Sequence, residues 1–125
     1  MNRSVLLIDD DDHIREVTQT GLELTAGWHV LAASSGEEGV TRAVEEGPDA
    51  ILLDVTMPGM DGPTTVGMLR TNDATKHIPV ILLTGRFRVG DGRSFAALSI
   101  SGVIAKPFDP VTLDVQVSRI LGWES

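Results

Sequence analysis

Residues 51–62 read ILLDVTMPGMDG, and the reading of this stretch decides the fold. Ala50-Ile51-Leu52-Leu53 is a short apolar run. Bounded by turn signals, such a run fits a strand buried on both faces, as in a parallel sheet. Asp54 stands where that strand should end, and the turn dipeptides Pro58-Gly59 and Asp61-Gly62 follow it. Open α/β sheets place their ligand crevice at the carboxyl ends of the strands. An ionisable side chain at that point makes Asp54 the candidate reacting residue.

Working outward, Val5-Leu6-Leu7-Ile8 is a second buried-strand run, and it ends on Asp9 and Asp10. A helical pattern starts at about Asp12, with Ile14, Val17, Gly21 and Leu24 at near-helical spacing. Asp11 or Asp12 would cap it, with a charge suited to a helix start. Trp28 to Ala33 reads as a strand. Ser35-Gly36-Glu37-Glu38 has the Ser-x-x-Glu form of a capping box. Val40, Ala43 and Val44 give the helix that follows one apolar face, and Gly47-Pro48 stops it.

Beyond the central strand, Pro63 suits the first position of a helix running to about Asn72, with Val66 and Leu69 inward. Pro79 opens the next strand, where a missing amide is tolerated, and Val80 to Leu83 continue it into Thr84. The segment Gly85 to Ser99 contains Gly85, Gly90 and Gly92, so any helix there is expected to be short, late or mobile. Gly102 to Ala105 is a last short strand running into Lys106-Pro107. The final helix, about Pro110 to Leu121, should bury Leu113, Val117, Ile120 and Leu121 before Gly122 ends it. Strand and helix thus alternate, which predicts an α/β fold: a doubly wound parallel five-stranded sheet with helices on both faces. The expected organisation is a single domain, 1–125, with no output domain attached.

Bulk properties narrow the function. At 125 residues the chain can bury one core without staples. It contains no cysteine, which excludes disulfides and Cys-ligated metals. The amino-terminal apolar run is far too short for a signal peptide and no stretch reaches membrane-spanning length, so a cytoplasmic protein without membrane insertion is expected. A net charge of −8 argues against a nucleic-acid partner, which would require clustered Lys and Arg. Asp9-Asp10-Asp11-Asp12 favours cations locally and would repel the phosphate of a flavodoxin-type cofactor.

The polar groups at four strand ends are Asp9 and Asp10, Asp54, Thr84, and Lys106. In a parallel sheet these ends share one edge, so the groups converge whatever their sequence separation. Carboxylates brought close repel by about 4 kcal/mol per pair at an intermediate dielectric, and a hard divalent cation offsets this best. Mg²⁺ takes oxygen ligands and commonly binds through one or two carboxylates plus phosphate oxygens. A carboxylate nucleophile, a metal, a fixed cation and a hydroxyl donor together suit reception of a phosphoryl group as an aspartyl phosphate.

These residues, with the DVTMPGMDG loop and Lys106-Pro107-Phe108, give the whole chain a close resemblance to the response-regulator receiver domains of two-component signalling. It is similar to the stand-alone chemotaxis-type regulators. The resemblance implies a flavodoxin-like (βα)5 sheet of order 2-1-3-4-5. It implies Asp54 as phosphoacceptor, Asp10 as direct metal ligand and Asp9 as its partner acting through water. Thr56 would lend its backbone carbonyl to the metal, Thr84 would be the switch hydroxyl, Lys106 the phosphate-contacting lysine, and Pro107 would follow a cis bond. The donor would be a histidine kinase or phosphotransfer protein, the recipient of the signal a further protein, and the chain a monomer or weak dimer. Such a receiver is not a turnover enzyme, although it contributes groups to its own phosphorylation and dephosphorylation.

One position departs from the family. Val103 stands where an aromatic residue three before the lysine usually turns inward, and a branched aliphatic cannot flip in that way. The glycine-rich segment after Thr84 could then respond by reordering. Thr56 and Arg86 occupy positions that tune the phosphoryl lifetime in the family. Two rival readings are a receiver-like scaffold or phosphate sink that does not switch, and an aspartate-nucleophile phosphohydrolase. The latter needs a second acid two residues after Asp54, where Thr56 stands. His13, His29 and His77 have no partner at ligand spacing, and Trp28 and Trp123 are read as packing residues.

Overall fold

The computed structural model describes residues 3–55, 62–84 and 100–123. The expected turns between Thr56 and Asp61, Thr56 itself, and the segment Gly85 to Ser99 with Arg86 lie outside the described residues. The strands are β1 (Ser4–Ile8), β2 (His29–Ala33), β3 (Ala50–Asp54), β4 (Val80–Thr84) and β5 (Gly102–Ala105). The helices are α1 (Asp12–Ala26), α2 (Gly36–Glu46), α3 (Gly62–Thr71) and α4 (Leu113–Leu121). All strand pairs are parallel, in the order β2-β1-β3-β4-β5, as the resemblance implies.

Alternation along the buried strands divides their side chains between two layers. Leu6, Ile8, Ile51, Leu53, Val80 and Leu82 pack with Ala43, Val66 and Leu69, which sets α2 and α3 on one face. Val5, Leu7, Leu52, Ile81, Leu83 and Ile104 pack with Leu22, Leu113 and Val117, which sets α1 and α4 on the other. Every residue of β3 is buried, so the apolar run at its centre is the middle of the core. Each such Leu or Ile contributes about 2 kcal/mol by leaving water.

The caps follow the expected chemistry. Asp11 is the N-cap of α1 and its side chain accepts from the Ile14 amide at 3.0 Å. Ser35 Oγ accepts from the Glu38 amide at 3.1 Å. The Glu38 carboxylate, however, reaches one residue past the cap, taking the Ser34 amide at 2.6 Å and its hydroxyl at 2.9 Å. Gly47 closes α2 at φ 57°, a left-handed conformation that favours glycine.

Several expectations are corrected. The face that α1 buries is Thr18 and Leu22, whereas Val17 is 41% exposed and Leu24 81% exposed. Gly21 does face inward: a Cβ there would stand 2.9 Å from both Cβ and the carbonyl oxygen of Pro110. Ile14 and Val17 instead border a surface groove. On α2, Val44 is exposed, and the close contact is made by Gly39, where a Cβ would meet Ile8 Cδ1. α4 begins at Leu113, after an Asp109 turn whose carboxylate accepts the Val111 amide at 2.9 Å. Of its expected core residues Leu113 and Val117 are fully buried, and Ile120 and Leu121 partly.

Candidate functional site

The site is made by backbone pairing that runs one residue past each strand. The Asp9 amide donates to Ala33 O at 3.1 Å, Val55 N to Leu83 O at 3.2 Å, and Lys106 N to Thr84 O at 2.7 Å. Ile8 lies opposite Leu53, Asp54 opposite Leu83, and Thr84 opposite Ala105. The carboxyl ends of β1, β3, β4 and β5 are therefore level, and the residues there are held as firmly as the sheet. Alternation sends Asp9 and Asp54 to the side of Leu7 and Leu52, on the α1–α4 face. Thr84 follows Leu82 to the opposite side, which it shares with Val103.

Asp9 and Asp54 are almost sealed from water, with 1% and 2% of their surface exposed. Lys106 Nζ is 3.3 Å from Asp9 Oδ2 and 3.3 Å from Asp54 Oδ2, so one ammonium is shared by two buried carboxylates. Both distances exceed the roughly 2.7–2.9 Å of a strong charge-assisted bond, as expected of a divided partner. Burial, the largest effect, pushes the Asp9 carboxyl up from its ordinary range, and Asp54 adds to this. The Asp11 amide at 2.9 Å and Lys106 act the other way. Asp10, exposed at the rim, completes a trio with Asp9 and Asp54 whose oxygens all lie within 4.8 Å of one another. Three carboxylates and one lysine leave net negative charge in a confined space. All-oxygen donors of this kind fit a hard divalent cation such as Mg²⁺.

Asp9, Asp10, Asp54 and Lys106 are thus brought together as the sequence predicts. Thr84 is 2% exposed at the end of β4. The Lys106–Pro107 bond is cis. Val103 is half-buried against the α2–α3 layer together with Val55 and Ile100. Of the histidines, His13 borders a groove of about 540 Å³ beside Lys106, formed by Ile14, Val17, Phe108 and Pro110. Sequence reasoning passed over that groove because it assigned Ile14 and Val17 to the core stripe. It also passed over Arg15, whose Nη1 donates to the Asp9 carbonyl at 2.8 Å. The Asp12-x-x-Arg15 spacing was the available signal.

Residues 5–118 match the family described as "Response regulator receiver domain", and the chain belongs to that family. Receiver domains are signalling proteins of two-component systems. The alkaline phosphatase synthesis transcriptional regulatory protein PhoP of Bacillus subtilis is 34% identical over 121 residues, covering 97% of this chain and 49% of PhoP. The chain spans about half the length, or less, of the curated relatives it matches. Chemotaxis protein CheY4 of Vibrio cholerae superposes with a TM-score of 0.89 at 31% identity, over 96% of this chain and 99% of CheY4. The receiver domain of sensor histidine kinase PA1611 from Pseudomonas aeruginosa has a TM-score of 0.85 at 26% identity, over 98% and 99% of the two chains. That structure has a magnesium ion coordinated in its active site cleft.

Proposed function

We propose that this receiver accepts a phosphoryl group on Asp54 from the phosphohistidine of a histidine kinase or phosphotransfer protein, and that the modification alters binding of a further protein. The observation that carries this reading is the shared Lys106 contact: one ammonium 3.3 Å from each of two buried carboxylates, beside a third. An Asp54 oxygen attacks phosphorus in line, the P–N bond breaks, and the departing imidazole keeps the electron pair. Lys106 moves from carboxylate to phosphoryl oxygen, which it can do because neither of its contacts is tight. Thr84 offers a hydroxyl to the same group. Asp9, Asp10, Asp54 and the Thr56 carbonyl would hold Mg²⁺, which supplies positive charge toward the transferring oxygens. The groove beside Lys106 is where the donor protein would lie.

Val103 supports a second reading, a receiver that is phosphorylated or not without switching a partner. The half-buried valine packs in the α2–α3 layer and has no ring to turn inward.

Intact mass after incubation with Mg²⁺ and a small phosphodonor tests the first reading, with Asp54→Asn beside the parent. One phosphate of added mass is expected in the parent and none in Asp54→Asn or with EDTA. Equal uptake by the mutant would remove Asp54 from this role. Partner capture with and without a phosphoryl analogue then separates switching from scaffolding.

A further inference from the structure

We infer that Arg15 is a positioning residue for cation binding at the acidic cluster, acting through the main chain of Asp9. The inference rests on the cation reading of Asp9, Asp10 and Asp54. Asp9 is buried, and its carbonyl lies just beyond the last β1–β2 pair, Ile8 with Ala33, on the side where its amide bonds Ala33 O. Among the described residues no backbone amide donates to it, and a buried carbonyl needs a donor. Arg15 Nη1 supplies it at 2.8 Å. The other arm of the guanidinium, Nη2, is held by Asp12 Oδ1 at 2.5 Å. One arm of the planar fork therefore ties the loop between β1 and α1 to α1, the other is anchored on the first residue of α1 itself, and the Arg15 side chain is only 20% exposed.

The other groups of Asp9 are also engaged. Its amide bonds Ala33 O, Oδ1 takes the Asp11 amide, and Oδ2 takes Lys106. Arg15 closes the last open vertex of this set, so the direction of the Asp9–Asp10 backbone, and with it the carboxylates, depends on the guanidinium. A point cation cannot replace it, because the geometry needs two donors in one plane.

Charge and position make opposite demands here, which makes the inference testable. A positive charge beside the cluster repels a metal, so removing it would tighten binding if Arg15 acted by charge alone. Acting by position, its removal weakens binding. Calorimetric titration of the full chain with Mg²⁺ reads the sign directly. Arg15→Ala should bind about tenfold more weakly, the low end for residues that support ligands, and Arg15→Lys should recover only part of the loss. Arg15→Gln, which removes the charge but keeps an amide donor and much of the side chain, should weaken binding by less than Arg15→Ala and serves if Arg15→Ala does not fold. Tighter or unchanged Mg²⁺ binding in a folded Arg15 variant overturns the inference. A parent chain that binds no Mg²⁺ would instead sink the cation reading on which it rests.

Discussion

At its carboxyl edge the sheet seals Asp9 and Asp54 from water and leaves them one partly exposed ammonium, that of Lys106, between two carboxylates. At its amino edge the same sheet is closed by Arg3, Trp28 and Trp123. Arg3 lies 4.1 Å above the Trp123 ring, and Trp123 meets Trp28 edge-on with centroids 5.4 Å apart. The Trp123 amide bonds back to Ser118 O at 2.9 Å, past the left-handed Gly122, so the end of α4 is fastened to the start of β1 and β2. One edge gathers charges that disfavour the folded state. The other gathers aromatic surface and a cation over a ring, which favour it. The same strands serve both because their interiors, Leu and Ile in both layers, stabilise the sheet independently of what stands at either end.

The sharpest test of this contrast is Lys106→Met. Two buried carboxylates would then face each other without a cation, and stability should fall by about 3 kcal/mol at neutral pH in urea unfolding without metal. Added Mg²⁺ should return much of it. If the mutant were as stable as the parent, the carboxyl edge would not be the costly one. Next in size is Trp123→Ala. A half-buried tryptophan should cost about 2 kcal/mol, below the range for a fully buried one, with phosphoryl uptake on Asp54 unaltered. A loss of uptake as large as the loss of stability would show that the edges are not independent.

The smallest effect is expected at Glu38, in the first turn of α2 just past the carboxyl end of β2. The Ser34 amide, then the Ser34 hydroxyl, hold its carboxyl below the usual range. A carboxyl lowered in the folded state contributes stability that is complete above its unfolded value and is lost as pH falls through the folded one. Glu38→Gln should therefore flatten the acid limb of the stability curve by a few tenths of a kcal/mol, since the group is solvated and screened. An unchanged acid limb would mean that the Ser34 contact is not maintained in solution.

Most of the fold was legible because its signals are local and redundant. Val5–Ile8, Ala50–Leu53 and Val80–Leu83 are apolar runs long enough for one strand each, and each ends on a polar residue. Asp9, Asp10, Asp54 and Lys106 could be placed together without knowing any contact, because parallel strands bring their carboxyl ends to one edge. Spacing was a poor guide on α1. Ile14, Val17 and Leu24 obey a helical period, but Thr18 and Leu22 are the residues under the helix. A period identifies a face without saying what will cover it. Here Gly21 comes close to Pro110, and that contact depends on where residue 110 arrives from the other end of the chain.

The sequence by itself determined the strand runs, their polar ends, a helix cap at Asp11 or Asp12 and another at Ser35, and hence the location and acid character of the site. These follow from hydrophobic patterning and from hydrogen bonds within a few residues. Only the tertiary structure decided that Lys106 is divided between Asp9 and Asp54, that Arg15 holds the Asp9 carbonyl, and that Arg3, Trp28 and Trp123 close the opposite edge. Each of these joins residues from different elements, and a contact of that kind is set by how helices settle on a finished sheet rather than by any stretch of chain.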